Sequence, residues 1–166
     1  VLVNPHETAV AEFFDVPVEV VDAAPRLSEP LPGDLDAPLF LAPDEGATGL
    51  AAAVRDAYGR GETDHFEKTR HSGSEVEIAP SDAAVGGRDV VVVDDIVATG
   101  STTSESVDVL TDRGAEDVFV ACVHPVLAGD ARTKLARAGV EAVFGTDTIE
   151  RAVSTVSVAP VVADAF

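Results

Sequence analysis

Three short stretches of the chain are apolar without interruption: residues 39–42 (LFLA), 90–93 (VVVV) and 118–123 (VFVACV). Runs this short, rich in β-branched residues and lacking a polar alternation, predict strands buried on both faces. Between them the apolar positions shift to helical spacing. Residues 47–58 predict a helix stopped by Gly59, 101–113 one ended by Gly114, and 130–138 one ended by Gly139. Residues 7–14 are helix-compatible, 16–21 extended, and 25–38 form a proline-rich connector. Residues 64–68 and 74–78 predict two further strands around a polar, glycine-containing loop at 69–73. Strands at 140–144 and 153–158 precede an apolar tail. Fully apolar strands alternating with helices predict an α/β fold, a parallel sheet flanked by helices on both faces. The chain opens on Val1-Leu-Val3, which resembles the end of a strand, and it holds no methionine. The expectation is a chain whose beginning lies elsewhere. Residues 1–20 are then a remnant of a preceding half, and residues 21–166 a C-terminal domain carrying the apolar tail.

Charge changes the picture more than composition does. Apolar residues make up 46% and charged residues 25% of the 166, within the ordinary range for a globular chain. The acids, however, number 30 against 11 bases, a net charge of −19, and they are spread along the whole length. Such a surface repels nucleic-acid phosphates and anionic membranes, so neither is an expected partner. A uniformly acidic surface with lysine only at Lys68 and Lys134 is that of a protein kept in molar salt, where the repulsion is screened. No apolar run approaches the ~20 residues of a membrane span, and the single cysteine, Cys122, lies in a core stretch and rules out an internal disulfide framework. A halophilic cytoplasm is the expected setting. Any cluster of bases in such a chain calls for a reason.

The candidate chemistry lies in VVVDDIVATGSTTSES, residues 91–106. An apolar strand ends on Asp94 and Asp95, at the carboxyl edge where parallel sheets gather ligands. Ala98, Thr99, Gly100, Ser101 and Thr102 then lead into a helix, whose first amides lack internal partners and attract a phosphate. Two carboxylates repel that phosphate, so they must face something else. The vicinal hydroxyls of a sugar suit them, because an ionised carboxylate only accepts and a diol donates twice. A phosphorylated pentose satisfies both halves of the motif.

This segment resembles the phosphoribosyl-diphosphate-binding motif of the type I phosphoribosyltransferase fold. Further stretches narrow the resemblance to the ribose-phosphate diphosphokinase, or phosphoribosyl pyrophosphate (PRPP) synthetase, family. They are PHETAVAEFFDVPV at 5–18, APDEG at 42–46, EKTR at 67–70, CVHPVLAGDA at 122–131 and GTDTI at 145–149. That family transfers the diphosphate of ATP to ribose 5-phosphate, with magnesium, and releases AMP. The resemblance implies that Lys68 and Arg70 are catalytic cations on a flexible loop, Arg70 also touching ribose 5-phosphate. It implies that Asp94, Asp95 and residues 98–102 hold the sugar phosphate, and that His6 and Asp44 contact the metal. Asp15 and Glu19 stand where further acids near the metal or ATP are found, and His124 and Asp147 are expected to be structural. Asn4 replaces an acid common two positions before the histidine, Ala98 replaces a frequent Asp or Ser, and Gly46-Ala47 replaces a glycine pair. A homo-oligomer, dimer or hexamer, is also implied. Two rivals share the Asp94–Thr102 motif: a phosphoribosyltransferase that consumes PRPP in nucleotide salvage, and a non-catalytic homologue that associates with synthetase subunits.

Overall fold

The first strand of the main sheet holds its place because its two faces are both covered. The structure, a computed structural model, describes residues 1–70 and 76–166. Two-residue strands β1 (Leu2–Val3) and β2 (Val20–Val21) pair in parallel as a separate ribbon. Between them residues Thr8–Phe13 form a 3₁₀ helix with no buried residue, in place of the expected helix at 7–14.

The main sheet contains β3 (Leu39–Ala42), β4 (Glu62–Arg70), β5 (Val76–Pro80), β6 (Val90–Ile96), β7 (Val118–His124), β8 (Ala142–Thr146) and β9 (Ser154–Val156). Their order is β5-β4-β3-β6-β7-β8-β9. All neighbouring pairs are parallel except β4 and β5, which are antiparallel. That departure from an all-parallel sheet has a simple cause. A parallel return needs a crossover of a dozen residues or more, and the chain between β4 and β5 is far shorter. Polar β4 also runs on to Arg70, two residues past the expected end.

Helices α1 (Thr48–Tyr58), α2 (Ser101–Asp112), α3 (Ala131–Arg137) and α4 (Ala159–Ala163) complete the fold. Strand alternation splits each apolar run between two cores. Leu39, Leu41, Val90, Val92, Val118, Val120 and Cys122 pack with Val107, Leu110, Ala131 and Leu135 of α2 and α3. Phe40, Ala42, Val91, Val93, Phe119, Ala121 and Val123 pack on the other face with Ala51 and Val54 of α1. Leu27, Leu31 and Leu35 of the proline-rich connector fill the remainder of that second core. None of the described helices is long and apolar enough to cross a membrane.

Candidate functional site

Strand β6 carries the site because it lies inside the sheet and outlasts its apolar stretch. Val90 to Val93 are buried, and Asp94 and Asp95 follow, half-buried, at the carboxyl edge. Their backbone positions alternate, but at the open end of the strand both carboxyls reach the same two cavities. Asp94 follows Val92 towards the α2 side, pairing in register with Cys122. Asp95 follows Val93 towards the α1 side, and there His6 arrives from the far end of the chain, its Nδ1 2.6 Å from Asp95 Oδ2. That bond, with the charge of Asp95, raises the His6 pKa above its ordinary value.

Asp94 behaves differently. Burial, then the hydrogen bond and charge of Asp95, push its carboxyl up to about 7. Burial first, then the nearby Asp94 charge, pushes the Cys122 thiol up to about 12, which leaves it an inert core residue.

Beyond β6 the chain turns at Val97 and Ala98 and enters α2. Backbone N–H groups of Leu127 and Ala128 donate to the carbonyls of Val97 and Ala98, both at 2.9 Å, and pin the turn to the segment after β7. Gly100 then takes φ +70°, the left-handed region. No side chain caps α2, and its first turn carries no acid, in a chain with 30 of them. Thr99, Ser101 and Thr102, with Ala98 and Gly100, line a cavity of about 350 Å³ at this helix start.

A second cavity, of about 390 Å³, adjoins the first. His6, Pro43, Asp44, Asp94 and Asp95 line both. Asp44 reaches them from the turn after β3, where its carboxylate also accepts from the Ala47 N–H at 3.2 Å. The structure thus brings together His6, Asp44, Asp94, Asp95, Ala98, Thr99, Gly100, Ser101 and Thr102. It does not bring Asp15 and Glu19, which are exposed and line neither cavity. Lys68 and Arg70 lie on β4, in register with Ile78 and Val76, and their side chains are outside the described residues. The base of that hairpin is anchored by Asp64. Burial alone would raise this carboxyl, but donors from Ser81, Ala83, His65 and Asp82 outweigh it and lower the pKa.

His124 and Asn4 explain how the His6 turn is held. Thr148 Oγ1, whose hydroxyl donates to the Val123 carbonyl at 2.8 Å, lies 2.9 Å from His124 Nδ1, and His124 Nε2–H donates to the Asn4 carbonyl at 3.0 Å. Asn4 itself sits at φ +36°, donates from Nδ2 to Asp22 at 2.6 Å and accepts from the Ala23 N–H at 2.7 Å. An amide suits this node, since it must donate and accept together and asparagine tolerates positive φ. Sequence reasoning had no signal for this network or for the His6–Asp95 pair, which joins residues 89 positions apart.

The phosphoribosyl synthetase-associated domain matches residues 79–163. The chain is 66% identical over 164 residues to a ribose-phosphate pyrophosphokinase of Halobacterium salinarum, covering 99% of this chain and 58% of that one. Its structure is similar to that of phosphoribosylpyrophosphate synthetase from Mycobacterium smegmatis, at 27% identity and TM-score 0.78, over 98% of this chain and 55% of the other. It also overlays 74% of its length on glutamine PRPP amidotransferase from B. subtilis, 34% of that chain, at TM-score 0.57 and 17% identity, which shows a shared phosphoribosyltransferase fold. The chain spans little more than half the length of the relatives it matches.

Proposed function

The chain belongs to the ribose-phosphate pyrophosphokinase family, and from that membership we propose that it binds ribose 5-phosphate for diphosphate transfer from ATP, giving PRPP and AMP. The observation that carries this reading is the loop-side cavity, where an uncapped helix start and two carboxylates meet. The amides of α2 and the hydroxyls of Thr99, Ser101 and Thr102 hold the 5-phosphate. Asp94 and Asp95 accept from the ring hydroxyls and present the 1-hydroxyl to the adjoining cavity. There its oxygen attacks the β-phosphorus, the hydroxyl proton passes to solvent water, and AMP departs with the electrons of the broken P–O bond. Lys68 and Arg70 neutralise the charge that builds on the leaving group, since such transfers depend on positioning and electrostatics.

The donor set fits magnesium. Asp44, Asp94 and Asp95 supply hard oxygens, and the Asp94 carboxyl, raised to about 7, is one that a cation would return to its ionised form. Among the described residues no three ligand side chains stand close enough to hold an ion by themselves, so these carboxylates would give it one or two oxygens and substrate phosphates and water the rest. Bound there, magnesium supplies charge neutralisation to the diphosphate. Because the ion requires the carboxylate, Mg²⁺ affinity should fall about ten-fold between pH 8 and pH 6, with protons released on binding. Calorimetry in buffers of different ionisation heat checks this, and a flat pH profile would contradict it.

The same reading places the protein in a salt-rich cytoplasm, in keeping with its net charge of −19. It also makes the protein a dimer or hexamer, a state supported by the exposed Phe13 and Phe14. Calorimetric titration of ribose 5-phosphate in molar KCl with magnesium tests the site, with AMP release as the readout of turnover. Binding at least ten-fold tighter than that of ribose is expected. A folded sample that binds neither overturns the reading.

A further inference from the structure

The site built above is acidic on the side where a phosphate must enter. Among the described residues its loop-side cavity is lined by Asp44, Asp94, Asp95 and His6, with neutral residues for the remainder. Among these lining residues, amides and hydroxyls would have to hold a dianion against those carboxylates. A cation nearby would change that balance, and the chain has only two lysines from which to draw an ammonium.

One of them stands beside the loop. Helix α3 packs so closely on it that a β-carbon at Gly100 would lie 3.3 Å from the Ala131 carbonyl and 3.4 Å from Leu135 Cγ. Lys134, between those two residues on α3, places its Nζ 3.5 Å from Ser101 Oγ. The same ammonium is 3.1 Å from Asp130 Oδ1, one turn back, and both side chains are accessible to solvent. Neither contact is buried, so the ammonium is free to exchange partners. A phosphate on the Ser101 hydroxyl offers it two negative charges in place of one.

We infer that Lys134 is a further binding residue of this site: its ammonium leaves Asp130 for the 5-phosphate and makes the loop selective for phosphorylated pentoses. The inference rests on the proposed function and adds a residue that the motif at 94–102 does not contain. The competing role is an ordinary pair between Asp130 and Lys134 that closes the first turn of α3 and has no part in binding.

Calorimetry separates the two, with ribose 5-phosphate and inorganic phosphate as probes on the wild type, Lys134→Gln, Lys134→Arg and Asp130→Asn. Lys134→Gln is expected to weaken both probes by roughly three- to ten-fold, the range for one partly exposed charged contact. Lys134→Arg keeps affinity within about two-fold, because it keeps the charge. Asp130→Asn removes the competitor and tightens both probes. Raising KCl reduces wild-type affinity more steeply than that of Lys134→Gln. Equal affinity in wild type and Lys134→Gln, with Lys134→Gln and Asp130→Asn losing the same few degrees of Tm, would leave only the helix pair and overturn the inference. A wild type that binds no ribose 5-phosphate would instead remove the proposed function, and this inference with it.

Discussion

Asp94→Asn is expected to lower ribose 5-phosphate affinity by roughly ten- to a hundred-fold, the worth of a charged hydrogen bond, while making the unliganded protein more stable. The two effects have one cause. Burial, and then the bond and charge of Asp95, hold the Asp94 carboxyl near 7 in the folded protein. In the unfolded chain an aspartate titrates near 3.9. A raised folded pKa gives stability that is fully present below about 4 and is lost as pH climbs through about 7. Above pH 7 the folded protein therefore carries an ionised carboxylate in a place that disfavours it. Asparagine has the same shape and no charge, so the penalty is absent at every pH. At pH 8 the gain is about 2 kcal/mol after allowance for solvent screening, or about 5 °C in Tm for a chain of this size. At pH 4 there should be none. Melting curves at the two pH values decide the matter: a variant no more stable than wild type at pH 8 would show that Asp94 is not strained. Stability given up for a binding group is the usual signature of a functional carboxylate.

Gly100→Ala should damage the same site through the backbone. At φ +70° a β-carbon costs about 1–2 kcal/mol in backbone strain alone. The new methyl also presses on the Ala131 carbonyl and Leu135, 3.3 and 3.4 Å away, and neither is the free end of a flexible side chain. The loop and α3 must then part by a few tenths of an ångström, which shifts the amides that open α2. Ribose 5-phosphate affinity is expected to fall by at least about ten-fold, and Tm by several degrees. Gly33→Ala is the control, since its β-carbon would meet nothing within 4 Å and its φ is unremarkable. If Gly100→Ala binds as the wild type does, the helix start is not the phosphate site.

Several elements are legible in the amino-acid sequence alone. Strand β3 and helix α1 fall within one residue of their expected bounds, and α2 within one at its end. They were legible because a strand covered on both faces must be apolar throughout, and because Gly59 and Gly114 mark where helical geometry stops. The elements that strayed have weaker patterns. Strand β4 is polar along much of its length, β1 and β2 have two residues each, and the direction of β5 depends on how short its connection is. None of these leaves a hydrophobic period to read.

The site divides in the same way. Asp94, Asp95 and residues 98–102 are contiguous, so a strand end, a glycine turn and a helix start could be recognised from their order alone. His6 and Asp44 were placed by resemblance, and the structure brings both to the shared mouth of the two cavities, while leaving Asp15 and Glu19 outside. The chain by itself determined the layered α/β fold and the order of paired acids, glycine turn and helix start, because these follow from local periodicity and from neighbours in sequence. Only the tertiary structure decided that His6 pairs with Asp95, that His124 holds Asn4, and that Lys134 stands over Ser101. Those contacts form where sheet order and helix packing bring distant side chains within a few ångströms, and no spacing along the chain records that distance.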